Sequence, residues 1–126
     1  MLKVFVYRNL HKDCWSVKAL EGINRGRVIS HAKKVTLWNC RFKVSEAGRQ
    51  RVIKEQRKNV HAGVVGYVDD SLANWDVVGN TSIPVTYNPY KYDSFVRADE
   101  GHYGEPIGAA TFVFMLPTKE VKACVL

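Results

Sequence analysis

Residues 44–67 read VSEAGRQRVIKEQRKNVHAGVVGY. The stretch divides into a strand end, a helix, a turn and a returning strand. Ser45 is suited to cap a helix N-terminus, because its hydroxyl accepts from an amide that would otherwise lack a partner. Glu46 places negative charge at the positive end of the helix dipole, and Arg57 and Lys58 place positive charge at the other end. Asn59 tolerates the left-handed conformation that often ends a helix. A helix over residues 45–58 is therefore predicted, followed by a strand from Val60 to Tyr67. The apolar stripe of this helix is thin, consisting of Ala47, Gly48, Val52 and Ile53. Its remaining surface carries Arg49, Arg51, Lys54, Arg57 and Lys58. Such a helix lies on a sheet by its stripe and presents cations elsewhere.

Working outward, the flanking segments read as strands. Residues 2–7 are apolar or aromatic at nearly every position, as in a central strand. Residues 8–13 read as a polar turn. Residues 14–20 place Trp15, Val17 and Ala19 on one face and Ser16 and Lys18 on the other. A turn at 21–26, a short strand at 27–30 and a turn at Lys33–Lys34 follow. Residues 35–44 alternate, with Trp38, Cys40, Phe42 and Val44 inward. Beyond the helix, residues 68–82 are acidic and turn-rich, and a second, short helix can be drawn around Ser71–Val77. Pro84 makes residues 83–87 read as an edge strand. Residues 107–116 form a late apolar strand that Pro117 stops, and the tail packs as a strand or a helical turn. The spacing is that of a meander. The expected fold is α+β: one domain over 1–126, an antiparallel sheet with one cationic helix.

The apolar fraction of 46% and charged fraction of 25% are those of an ordinary globular protein. No run of about 18 apolar residues occurs, so no membrane span is expected. The N-terminus lacks the pattern of a signal peptide, and the expected location is the cytoplasm. Three cysteines, Cys14, Cys40 and Cys124, fit a reducing compartment better than a disulfide framework. The net charge of +7 is uneven. Residues 1–67 carry 15 Lys and Arg against 4 Asp and Glu, and the remainder carry 4 against 8. A basic half favours anionic partners, or an acidic surface on a neighbouring subunit.

Catalytic and metal chemistry find little support. His11 and Cys14 are spaced HxxC, with His31 and Cys40 following, but the paired spacing of zinc sites is missing. Asp69–Asp70 and Asp99–Glu100 are adjacent pairs in turns, and neither a phosphate-binding loop nor a nucleophile elbow occurs. No enzyme activity, metal or cofactor is expected. Binding is better supplied. Arg49 and Arg57 lie eight residues apart, about two helical turns, and would share one face. Their guanidinium forks suit phosphate. Tyr90 or Phe95 offers a plane for stacking a nucleobase, Asn88 an amide to read its edge, and Arg97 a further cation. Core packing accounts for Tyr87 and Phe95 equally well, and turn geometry before Pro89 for Asn88.

YRNLHKDCWSVKA at 7–19, GRVISHA at 26–32, RFKVSEAGRQRVIKEQRKNVHAGVVG at 41–66 and VTYNPYKYDSFV at 85–96 are similar to small proteins of phages and prophages. The pattern resembles the phage Thoeris anti-defence proteins of the first type, over half to two-thirds of the chain. The resemblance implies a non-catalytic sponge that sequesters a cyclic ADP-ribose isomer and in some members cyclic oligonucleotides. It also implies a homodimer or dimer-based hexamer with pockets at subunit interfaces, phosphates held by arginines, and a base held by an aromatic ring with an asparagine. Arg27, Arg57 and Asn88 are the positions matched to those roles, with Arg97 as the one later arginine. Capture of a small cyclic or ADP-ribose-type nucleotide is the expected function. The alternatives are a basic nucleic-acid-binding protein, or an inhibitor that docks on an acidic host protein through Arg51, Lys54 and Lys58.

Overall fold

The computed structural model describes residues 2–57, 60–68 and 82–125. Its strands are β1 (Leu2–Asn9), β2 (Cys14–Ala19), β3 (Val28–Ala32) and β4 (Val35–Val44), then helix α1 (Glu46–Glu55). These are followed by β5 (Ala62–Val68), β6 (Ile83–Thr86), β7 (Val96–Arg97), β8 (Ala109–Met115) and β9 (Val121–Cys124). All nine strands join one sheet in the order β3-β2-β1-β5-β4-β8-β9-β6-β7, and every pairing is antiparallel. The α+β class holds, with the sheet dominant. The short helix expected around residues 71–77 lies outside the described residues.

The sheet curls. β2 and β8 are four strands apart, which in a flat sheet is about 19 Å. Yet the Trp15 indole on β2 donates to the carbonyl of Leu116, just past β8, at 3.0 Å. A single apolar cluster accordingly joins Val4, Val6 and Val17 from one half of the sheet to Val85, Phe95 and Ala123 from the other. Part of the bend comes from β4. Asn39 has a left-handed φ of 52°, and the pairing of β4 with β5 shifts register between Trp38 and Arg41. A bulge turns the strand and resets which residues face inward. Leu37 and Cys40 are therefore buried, while Trp38, expected inward, packs against Tyr67 on the other face.

The helix is shorter than the sequence pattern predicts. Ser45 caps it, accepting from the Gly48 amide, and it ends at Glu55 with Gln56 left-handed as C-cap. Loop closure sets this limit. The Ser45 amide donates to the carbonyl of His61 at 2.7 Å, so the chain must return to where the helix began. Ten helical residues advance about 15 Å, and the six steps from 55 to 61 can span about 21 Å. A helix through residue 58 would advance about 20 Å and leave three steps, about 10 Å, to come back. Arg57 consequently lies beyond the helix and does not share a helical face with Arg49. Burial on α1 is confined to Gly48 and Val52.

Two further expectations shift, while the tail takes the strand alternative as β9. β1 continues through Asn9 rather than stopping at Tyr7. β6 is not an edge, since it lies between β9 and β7. Pro84 is accommodated because its carbonyl, and hence its nitrogen, faces Ala98, where β7 has already ended.

Candidate functional site

Most sequence-predicted cations and rings have structural partners. Arg49 is half-buried and donates from Nε to the carbonyls of Pro89 at 3.0 Å and Tyr92 at 2.9 Å. Its Nη1 pairs with Glu46 at 3.0 Å. The helix and the 88–92 turn thus meet, as the sequence pattern implies, but the guanidinium is spent on backbone carbonyls. Asn88 closes that turn: its Oδ1 accepts from the Tyr90 amide at 2.9 Å, and its carbonyl accepts from Lys91 and Tyr92. Arg97 forms a two-bond pair with Asp99, at 3.2 and 3.0 Å. Phe95 is buried, its ring 5.1 Å from those of both Phe42 and Tyr87. Tyr90 is exposed. Arg27 is exposed in the turn before β3, and Arg57 is exposed with a loose pair to Glu55 at 3.7 Å.

A different cation occupies the inside of the curl. Along β1 the core-facing row runs Val4, Val6, Arg8, opposite Ala19, Val17 and Trp15 of β2. Arg8 therefore stands where period-two alternation calls for an apolar side chain. Its side chain is 15% exposed, and its guanidinium carbon lies 5.2 Å from the centroid of the Trp15 ring. Nη2 donates to Asp13. Nε and Nη1 are buried and meet no hydrogen-bond partner among the described residues. Buried donors normally find acceptors, so two on one cation are an exception that calls for a cause.

Arg8 lines a cleft of about 230 Å³ between β1 and β2 on one side and β6 and β9 on the other. Trp15, Tyr87 and Phe95 line it together with Val85 and Met115, and Lys119 lines it as a second cation. Of the seven residues singled out in the sequence, Phe95 alone borders it. Two turns carry the charged groups beside it. Asp13, with a left-handed φ of 51°, ends the β1–β2 turn, and Lys119, with φ 75°, lies between β8 and β9. The Lys119 Nζ is 3.9 Å from the same Asp13 oxygen that Arg8 holds. The hydrogen bond and charge of Arg8, with smaller help from Lys119 and Lys33, hold the Asp13 carboxyl below its ordinary range. Deeper in, the Tyr87 hydroxyl meets His61 Nε2 at 2.8 Å, and burial raises the Tyr87 phenol above its ordinary range.

Two further hollows lie elsewhere on the sheet. One of about 330 Å³ at the Asn39 bulge is more open to solvent and has Arg41 as its one cation. Another, of about 220 Å³, lies over Phe5, Val65 and His61 and is bordered by Lys18 and Lys43, with one aromatic side chain, Phe5, besides the His61 ring. Metal chemistry finds no seat among the described residues. No disulfide joins the three cysteines, all of them buried, and burial pushes the Cys40 thiol up to about 12, which disfavours its thiolate at neutral pH. No helix among the described residues is long and apolar enough to cross a membrane.

Sequence reading missed Arg8 because residues 8–13 look like a turn. The available signal was the alternation Val4, Val6, Arg8, which carries a cation into the core row.

No solved structure matches this chain. The Gene 82 protein of Mycobacterium phage L5 is 45% identical, over 78% of this chain and 79% of that protein. The family described as the Mycobacterium phage L5 gene 82 protein matches residues 1–123. On both grounds the chain belongs to the phage gene 82 protein family.

Proposed function

We propose that this protein is a non-catalytic phage binding protein that captures a small nucleotide-type molecule in the cleft inside its curled sheet. The observation that carries this reading is Arg8: a largely buried guanidinium over the Trp15 ring, with two donors unpaired among the described residues, in a side chain that lines an aromatic-walled cleft. Ligand sites combine apolar walls with a few placed polar groups, which is this pattern. The volume limits the fit. At about 230 Å³ the cleft is below the usual range for a whole drug-sized ligand, about 300–1,000 Å³. It suits one end of a nucleotide, with the rest outside. A cyclic ADP-ribose isomer, the ligand of the sponges the sequence resembles, belongs to this ligand class. Sequestration would explain a site with cations and rings but no activated nucleophile.

Isothermal titration with a panel of nucleoside phosphates, cyclic nucleotides and ADP-ribose derivatives tests the reading. At least one is expected to bind saturably and to be recovered chemically intact. Recovery of a cleaved product would make the protein an enzyme.

A second reading rests on the exposure of Arg27, Arg51, Lys54 and Arg57. Exposed cations of this number suit a nucleic-acid backbone. Salt separates the two, because many phosphate contacts make affinity fall steeply with ionic strength, whereas a compact ligand gives a shallow slope.

A further inference from the structure

The hydrogen-bonding state of Arg8 identifies the ligand group that the cleft is built to receive, given the capture reading above. A guanidinium offers five N–H donors across two edges. Asp13 meets one nitrogen, Nη2, and among the described residues Nε and Nη1 have no acceptor. A carboxylate reaching in from a turn has two oxygens and one direction of approach. A tetrahedral oxyanion has three or four oxygens and can span more of the fork. Asp13 is itself 71% exposed, so the edge it occupies is one that solvent reaches. The same Asp13 oxygen lies 3.9 Å from Lys119 Nζ, so a single carboxylate oxygen sits between two cations from separate turns. This is the charge arrangement of a phosphate seat with a side chain in the phosphate's place.

We propose that Arg8 and Lys119 form a phosphate seat at the mouth of the cleft, and that Asp13 is an internal stand-in that a ligand phosphomonoester displaces. The aromatic walls behind the seat, Trp15, Tyr87 and Phe95, then receive the planar group attached to that phosphate. No bond is made or broken. The phosphate exchanges with a carboxylate that swings outward on the β1–β2 turn. Asp13 lowers affinity for every anion because each must replace it. It also prevents Arg8 from standing as an uncompensated buried charge when the cleft is empty.

The test is a titration of the full chain with inorganic phosphate and with phenyl phosphate, followed by nitrogen–proton NMR and repeated on D13N, R8K and K119A. Saturable shifts are expected at the Trp15 indole and in the two turns. Phenyl phosphate should bind more tightly than phosphate. D13N should bind both about tenfold more tightly, the worth of one charge-assisted contact no longer displaced. R8K keeps the charge but loses the fork and should bind about tenfold more weakly, and K119A less so. A gain of affinity in D13N cannot arise from misfolding, so the prediction survives a destabilised R8K. Equal affinity in D13N and the unsubstituted chain overturns the seat, as do shifts spread over Arg25, Arg27, Lys33 and Lys34 with Trp15 unmoved. If a nucleotide is captured while all three variants bind it unchanged, the seat is wrong and the capture reading stands. If neither probe nor any nucleotide binds, both fail.

Discussion

The Arg8 guanidinium carbon sits 5.2 Å above the Trp15 ring, and that ring is itself pinned by its indole hydrogen bond to the Leu116 carbonyl. Cation, ring and the closure of the curl are thus one assembly. Arg8 contributes charge to a core row and has two buried donors unmet among the described residues, so its place is costly to folding. Replacing a whole buried ion pair with apolar residues is often neutral or stabilising, by about 1–4 kcal/mol. The partner left behind here, Asp13, is 71% exposed and so is not stranded as a buried charge. Arg8→Met is therefore expected to be as stable as the unsubstituted chain or more so in urea unfolding, while losing ligand capture. A loss of stability of more than about 2 kcal/mol would make Arg8 a structural residue rather than a binding one.

Gly48 packs the helix against the start of β5. A Cβ there would meet the His61 Cβ at 2.6 Å. Alanine is the better helix former by about 1 kcal/mol, so an open site would gain stability from Gly48→Ala. Overpacking decides the sign instead. The substitution is expected to destabilise by about 1–3 kcal/mol, measured by denaturant midpoint.

Arg49 holds the 88–92 turn through two backbone carbonyls. Arg49→Leu removes both bonds and is expected to cost about 1–3 kcal/mol. Amide exchange should accelerate at Lys91 and Tyr92, whose amides close the turn on Asn88. Unchanged exchange there would mean that the turn stands without the helix.

Acid should act through three carboxylates. A hydrogen bond from Arg8 lowers Asp13 and one from Arg97 lowers Asp99; Gln50, then Arg49, lowers Glu46. Each folded value lies below the unfolded one, so each contributes stability that is present above the unfolded value. That contribution is lost as pH falls through the folded value. Ordinary values are 4.5 for Glu46 and 3.8 for the two Asp. Stability should thus be insensitive to these groups at neutral pH and decline below about pH 4. D13N should reduce the steepness of that decline.

The thiols provide a check on the core. All three cysteines are buried, and Cys40 is held protonated up to about 12. A disulfide reagent at pH 8 is expected to label none of them in the native chain and all three in urea. Rapid native labelling of Cys40 would contradict the inward side of the Asn39 bulge.

What could be read from the sequence followed local rules. The Ser45 cap, the helix after it and the antiparallel strands are local signals, and each appears in the structure. The helix end was not legible because closure onto His61 stops it at Glu55, with Gln56 as the left-handed cap; the cap expected at Asn59 lies outside the described residues. Cys40, Phe42 and Val44 face the core as expected, but Trp38 was misplaced because the bulge at Asn39 reverses the alternation before it. Arg49 reaches the 88–92 turn, but it meets the backbone carbonyls of Pro89 and Tyr92 and holds the turn. The cleft joins Arg8 to Lys119, 111 positions apart in the sequence, and only the curl of the sheet brings such residues together.

Native mass spectrometry of the purified chain, after incubation with a bacterial small-molecule extract, tests the central claim most directly. The account predicts a retained phosphate-bearing nucleotide that leaves with unchanged mass on denaturation and is absent from Arg8→Met. A chain that carries nothing, or that retains the same molecule equally well without Arg8, would contradict it.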